Sequence, residues 1–332
     1  MIQKDAAFPN CRMRRLRSSA SIRDMVAETS LSASDLIQPY FILEGAHQKE
    51  AISSLPGQYR FSIDLLIEEV QQCYDLGICA VALFPVLSPD LKDKNGSEAL
   101  NPDNLICRAI RALKDAVPDM LLVTDIALDP YTSHGHDGLI DANGYMQNDE
   151  TIDILIGQSL NQARAGADIL APSDMTDGRI GKIRAELENE KLHNTMLMSY
   201  AAKYASHFYG PFRDAVGSNT ALKTDKSYYQ MDFRNSDEAL REIALDLQEG
   251  ADMIIIKPGM PYLDVIQRAA KAFSVPIFAY QVSGEYAMLH NGAIECGFDR
   301  DKIIFESLIA FKRAGCTGIL SYFAKEFTQK IK

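Results

Sequence analysis

The sequence has no CxxC pair, no apolar run long enough to cross a bilayer, no GxGxxG behind an early strand and no excess of positive charge. Each absence excludes something. Six cysteines (Cys11, Cys73, Cys79, Cys107, Cys296, Cys316) scattered without pairing motifs read as reduced, mostly core thiols. The longest apolar runs, such as Met253–Ile256 and Met120–Val123, fall far short of the roughly 20 residues of a membrane span. No apolar segment of the secretory kind follows Arg12, Arg14, Arg15 and Arg17. A net charge of −11 argues against a generic nucleic-acid or acidic-membrane binder. These readings predict a cytoplasmic protein with no nucleic acid and no membrane among its partners.

What is present is material for a large core: 332 residues, 47% of them hydrophobic and 24% charged. Short, nearly continuous apolar runs predict strands buried on both faces at Leu36–Leu43, Cys79–Phe84, Met120–Asp125, Asp168–Ala171, Thr195–Ser199, Asp252–Lys257, Ile277–Gln281 and Gly318–Tyr322. Helical periodicity lies between them, at Ile63–Leu76, Asn104–Ala116, Glu150–Ala165, Ser236–Glu249, Leu263–Ala272 and Asp301–Ala314. Ser62 and Ser236 stand as capping residues, and Gly77, Gly166, Gly250 and Gly315 close helices. Two closures echo each other, Ala165-Gly166-Ala167-Asp168 and Glu249-Gly250-Ala251-Asp252. Eight strands alternating with helices predict an α/β fold of the (β/α)8 TIM-barrel class over residues 35–332. The lack of a dinucleotide fingerprint ranks a doubly wound sheet below it. Residues 1–34, polar, basic and weakly periodic, read as an N-terminal arm making subunit contacts. The long connection at about 204–235, rich in Gly, Lys and Tyr, reads as an active-site lid.

Reactive groups of a barrel sit where its strands end. Asp125, Ser173, Lys203, Lys257, Ser283 and Tyr322 all fall there. Lys257, behind Met253-Ile254-Ile255-Ile256, is placed for desolvation, which lowers an amine's pKa and supplies a nucleophile. A lysine snorkelling to the mouth or paired with a carboxylate fits the same position equally well. Lys203, after a neighbouring strand, strengthens the nucleophile reading, because like charges close together depress each other's pKa and leave one or both amines as neutral nucleophiles. In the stretch Asp125–Gly138, His134 and His136 can be read as a metal pair and Asp129 and Asp137 as oxygen ligands, or all four as parts of a self-satisfied turn. Arg213, Lys223 and Lys226, with Tyr228 and Tyr229, make the lid a solvated basic loop or a clamp for a carboxylate.

Five segments carry a resemblance: Thr132–His136, Ala171–Met175, Ala201–Arg213, Lys257–Asp264 and Tyr280–Met288. They resemble the porphobilinogen synthase (5-aminolevulinate dehydratase) family, in order and over nearly the whole chain. The resemblance implies condensation of two 5-aminolevulinate molecules through lysine Schiff bases, in tetrapyrrole biosynthesis. By motif, Lys257 matches the lysine binding the first substrate and Lys203 the second amine. Ser283 and Tyr322 match the groups on the first carboxylate, and Arg213 and Lys226 those on the second. Asp125 and Ser173 line the pocket. Some members have arginine at the place of Lys226, so a two-pronged contact becomes a point charge here. The cysteines of zinc-dependent members are replaced by Ala127, Asp129 and Asp137, so no zinc is expected. Magnesium is expected instead, allosterically at Glu242, with Asp129 and Asp137 as a possible second cation site. A homo-octamer of arm-linked dimers is implied. The alternative is a class I aldolase, which needs one essential lysine rather than two.

Overall fold

A computed structural model describes residues 7–216 and 225–331. Eight parallel strands close on themselves: β1 (Leu36–Ile42), β4 (Ala80–Pro85), β5 (Leu121–Ile126), β6 (Ile169–Pro172), β7 (Met196–Lys203), β8 (Met253–Lys257), β9 (Ile277–Gln281) and β10 (Gly318–Ser321), with β10 hydrogen-bonded back to β1. An antiparallel hairpin of β2 (Lys49–Ala51) and β3 (Tyr59–Phe61) extends the end of β1. The outer layer comprises α2 (Ile63–Asp75), α3 (Leu105–Ala116), α4 (Asn148–Ala165), α5 (Arg179–Asn189), α7 (Asp237–Gln248), α8 (Leu263–Ala272), α10 (Arg300–Ala314) and α11 (Ala324–Ile331). Short α1 (Ala20–Met25) lies in the N-terminal segment, α6 (Gly210–Ala215) in the long connection, and α9 (Ser283–Glu295) follows β9 directly. The barrel is a closed (β/α)8 fold, and every residue of β1, β4, β6 and β10 is buried. That burial on both faces explains why those strands read as unbroken apolar runs.

The echoed closures do one job twice. Gly166 and Gly250 end α4 and α7 at φ +111° and +108°, where a side chain would be strained. Asp168 and Asp252 then accept the backbone N–H of Leu122 (2.8 Å) and Leu197 (2.7 Å), tying each new strand to the start of its predecessor.

The structure departs from the sequence reading on one strand that matters. Thr195–Ser199 ends too early: β7 runs on to Lys203, with one extra residue between Ser199 and Ala202 relative to β8. This β-bulge brings Lys203 into register with Lys257 on the adjacent strand. Helices α5, α9 and α11 also go unread. Residues 7–34 lie almost wholly exposed, including Phe8, Met13, Leu16 and Met25.

Candidate active site

The ends of β5 to β9 bring Asp125, Ser173, Lys203, Lys257 and Ser283 to one rim of the barrel. Lys257 is 6% exposed and Lys203 5%. The Lys257 ammonium lies among four rings, with Nζ 5.0 Å from the centroid of Tyr200, 5.3 Å from Tyr209, 5.1 Å from Phe212 and 4.9 Å from Tyr280. Burial, and then the charge of Lys203, bring its pKa down to about 7, although Asp125, Asp129 and Asp137 pull the other way. Near neutral pH a good fraction of Lys257 is therefore the free amine.

Lys203 behaves differently. Its Nζ lies 3.3 Å from Asp137 Oδ1 and donates to the Ser173 carbonyl oxygen. Burial works to lower its pKa, but Asp137, Asp129 and Asp125 outweigh this and raise it. Of the two outcomes the sequence leaves open, one neutral amine or both, the structure favours the first: an asymmetric pair, with Lys257 lowered and Lys203 held as an ammonium. Asp137 is the hub. Its Oδ2 also takes Lys226 Nζ at 2.9 Å and the Tyr229 hydroxyl at 2.6 Å. Although burial opposes ionisation, Lys203 and Lys226 hold this carboxyl well below the usual carboxylate range. Asp125, at the end of β5, is pushed up to about 7 by burial and by Asp129, against the pull of the lysines and Ser173. Asp129 is raised for the same reasons, with Asp137 as its chief neighbour. A carboxyl and an amine that both titrate near 7 in one dry site are suited to acid–base work beside a covalent nucleophile.

The remaining residues divide. The Ser283 hydroxyl accepts the Phe212 N–H at 2.9 Å, and the hydroxyls of Tyr322 and Tyr280 are 3.0 Å apart. Arg213 is part-buried on α6. Lys223 lies outside the described residues. Glu242 on α7 is apart from all of these, half-buried against a cavity of about 370 Å³ that Asp177, Asp232 and Glu238 also line. Burial and neighbouring Asp246 raise its pKa.

His134 and His136 do not form a metal pair: His134 Nε2 faces the Lys94 carbonyl at 3.2 Å and its Nδ1 accepts the His136 N–H at 3.3 Å, which occupies both ring nitrogens. Among the described residues no group of three or more His, Cys, Asp or Glu side chains is placed to hold a metal. Nor does the Asp129/Asp137 pair suit a cation, since two ammonium groups and a hydroxyl already occupy both oxygens of Asp137. The ring cage around Lys257 was not read from the sequence. Neither was Glu285, buried at the start of α9, though it and every ring of the cage except Tyr200 sit inside the motifs quoted above.

A (β/α)8 barrel with a buried lysine brought near neutrality beside a poised carboxyl has the arrangement that imine-forming enzymes require. The comparisons narrow the class. A family model described as Delta-aminolevulinic acid dehydratase matches residues 10–330. The Delta-aminolevulinic acid dehydratase of Bradyrhizobium diazoefficiens is 53% identical over 97% of this chain and 91% of its own length. That of Rhodobacter capsulatus is 49% identical over 96% and 95%. The crystal structure of delta-aminolevulinic acid dehydratase (porphobilinogen synthase) from Toxoplasma gondii, in complex with the reaction product porphobilinogen, superimposes with a TM-score of 0.94 at 45% identity, over 96% of this chain and 91% of that one. The chain belongs to the delta-aminolevulinic acid dehydratase family.

Proposed function

We propose that Lys257 and Lys203 carry the two substrates of this enzyme as imines. The activity itself, a hydro-lyase reaction forming porphobilinogen from 5-aminolevulinate, follows from the family, and the aldolase alternative falls with it. The observation that supports the residue assignment is the register of the two lysines on adjacent strands, one of them near neutral. The free amine of Lys257 attacks the ketone of the first substrate, whose oxygen leaves as water. The second ketone loses its oxygen the same way on Lys203, once a more basic group than Asp137, such as the Asp125 carboxylate, has taken up the ammonium proton. Two substrates therefore release two waters. An imine acidifies the carbon beside it, Asp125 is the candidate base for that proton, and the resulting enamine adds to the other imine. The free amino group then closes the ring and the lysines are expelled. Holding both reactants in one site is worth up to roughly 7–11 kcal/mol of barrier. Ser283 and Tyr322 are assigned to the first carboxylate, Arg213 and Lys226 to the second. Lys226 must then share itself between Asp137 and substrate, which couples lid position to the state of the hub.

Trapping tests the assignment. Borohydride reduction in the presence of 5-aminolevulinate is expected to label the peptide containing Lys257. The labelling rate should rise with pH through an inflection near 7, because only the unprotonated amine attacks. An inflection near 10, or label confined to other lysines, would sink the reading.

The family implies zinc or magnesium. Ala127, Asp129 and Asp137 offer zinc no thiolate, which favours the magnesium-responsive type. A hydrated magnesium needs only one or two carboxylates, which suits Glu242 and its acidic cavity. Bound there it would supply charge neutralisation between elements rather than chemistry on substrate. Porphobilinogen formation measured metal-free, with magnesium and with zinc should respond to magnesium alone, and Glu242→Ala should lose that response while retaining its metal-free rate. A wild-type titration curve in the variant would remove the assignment. The exposed apolar side chains of residues 7–34 support a homo-oligomer built through that arm, the octamer of arm-linked dimers. Among the described residues no helix is long and apolar enough to cross a membrane. Free cysteines, three of them buried, support a reducing compartment, here the cytoplasm.

A further inference from the structure

Glu285 is fully buried, at the third position of α9, and among the described residues no cation offsets its charge. Its two oxygens are nonetheless fully engaged. Oε1 accepts the Met260 N–H at 2.5 Å; Oε2 accepts the N–H of Val282 at 2.6 Å and of Gly259 at 3.3 Å. Only the Val282 bond belongs to ordinary capping of the helix on which Glu285 sits. The other two reach across to a different loop, the one that begins immediately after Lys257. One carboxylate thus staples the backbone two and three residues beyond Lys257 to the backbone one residue before Ser283.

Neither loop has slack. A Cβ at Gly259 would lie 2.3 Å from the Phe311 ring, and one at Gly284 would lie 2.5 Å from the Phe208 carbonyl oxygen. The Ser283 hydroxyl is further fixed by the Phe212 N–H. Only an acceptor-only group suits three converging N–H donors, because a glutamine would aim an amide NH₂ at one of them. Keeping a carboxylate here is costly, since burial outweighs the three backbone hydrogen bonds that favour the charged form and leaves Glu285 pushed up to about 7.

We infer that Glu285 is a positioning residue that sets substrate chain length: it fixes the gap between the Lys257 amine and the Ser283 hydroxyl, so that the site prefers a keto acid with its carbonyl at carbon 4. The inference rests on the reading of Lys257 as the imine former and Ser283 as the carboxylate anchor. A purely structural role would slow all substrates alike; a gap-setting role changes their ratio.

The probe is borohydride labelling of Lys257 by two acids that lack the 5-amino group and so stop at the first imine. One is levulinate (4-oxopentanoate), the other 5-oxohexanoate, one methylene longer. The intact oligomeric enzyme should favour levulinate by about 10-fold or more, the ordinary value of one misplaced methylene. In Glu285→Gln the ratio is expected to fall to about 3-fold or less, with levulinate labelling reduced more than labelling by the longer acid. Should the Gln variant not fold, Glu285→Asp, which keeps the charge and draws the loops together, must also change the ratio. A wild-type ratio in a folded variant overturns the inference. Absence of Lys257 labelling in the wild type overturns the active-site reading beneath it. The structure of the wild-type enzyme carrying the reduced levulinate adduct gives a check independent of any variant. Its carboxylate is expected on Ser283 Oγ with all three Glu285 bonds intact, and a carboxylate bound away from Ser283 removes the inference.

Discussion

Lys257→Met should abolish porphobilinogen formation, by on the order of 10⁶-fold, the scale on which enzymes lose rate when a covalent nucleophile is removed. That is about 8 kcal/mol of barrier at 1.36 kcal/mol per decade. Methionine fills the ring cage formed by Tyr200, Tyr209, Phe212 and Tyr280 with a similar unbranched chain, so the fold should be retained or stabilised. The native amine is desolvated without a direct ionic partner, whereas a thioether meets those rings favourably. Steady-state turnover and the melting temperature, measured together, decide the matter. A variant that keeps more than about one part in 10³ of the rate would mean that Lys203 alone suffices for imine chemistry.

The second large effect belongs to Asp137→Asn. Two buried ammonium groups, Lys203 and Lys226, share this carboxylate. Breaking a buried ion pair by removing one partner costs about 3–5 kcal/mol, because the charge left behind is uncompensated. The variant should therefore unfold at lower denaturant concentration. Its pH dependence should also change. The native Asp137 carboxyl is depressed below its unfolded value of about 3.9. Its stabilising contribution is thus present above pH ~4 and is lost as pH falls further; Asn has no such contribution to lose. On the lysines the sign is opposite. Asp137 raises the pKa of both Lys203 and Lys257, so its removal lets both fall. The labelling inflection of Lys257, near 7 in the wild type, should move to lower pH even as turnover drops by about 10²–10⁴-fold, the range of a misplaced proton-transfer group. An inflection that stays in place would show that the carboxylate does not act electrostatically on the pair.

Much of this was legible in the sequence because of where the apolar residues end. Lys257 follows four apolar residues, and the strand ends there in the structure, so its desolvation could be read directly. Lys203 was read as lying beyond its strand because the bulge interrupts the pattern between Ser199 and Ala202. A register shift is a property of two strands and cannot be read from one. The hub at Asp137 joins partners 66 and 89 residues away, so its neighbours made metal ligation look as reasonable as ion pairing. Helix α9 escaped because Gly284 and Gly292 interrupt any apolar stripe, and α5 because charges surround Ile180, Ile183 and Leu187. The role of Glu285 was hidden for the same reason as the hub: two of its three donors lie 25 and 26 residues away, in another loop.

The extra residue in β7 bears on where two tethered substrates would begin. Without it, Lys203 would stand one place out of step with Lys257, and a one-residue slip turns a strand's side chains to the opposite face of the sheet. With it, the two amines are anchored to neighbouring rails of one hydrogen-bonded lattice, whose pitch of about 4.8 Å is common to all sheets and beyond the reach of side-chain substitution. With both lysines carrying substrate as proposed, the two tethered carbons would start from a separation set by this strand spacing together with the reach of the lysine side chains. Which atoms join fixes the size of the ring; the barrel's own weave bears instead on how far apart the two tethered substrates would begin.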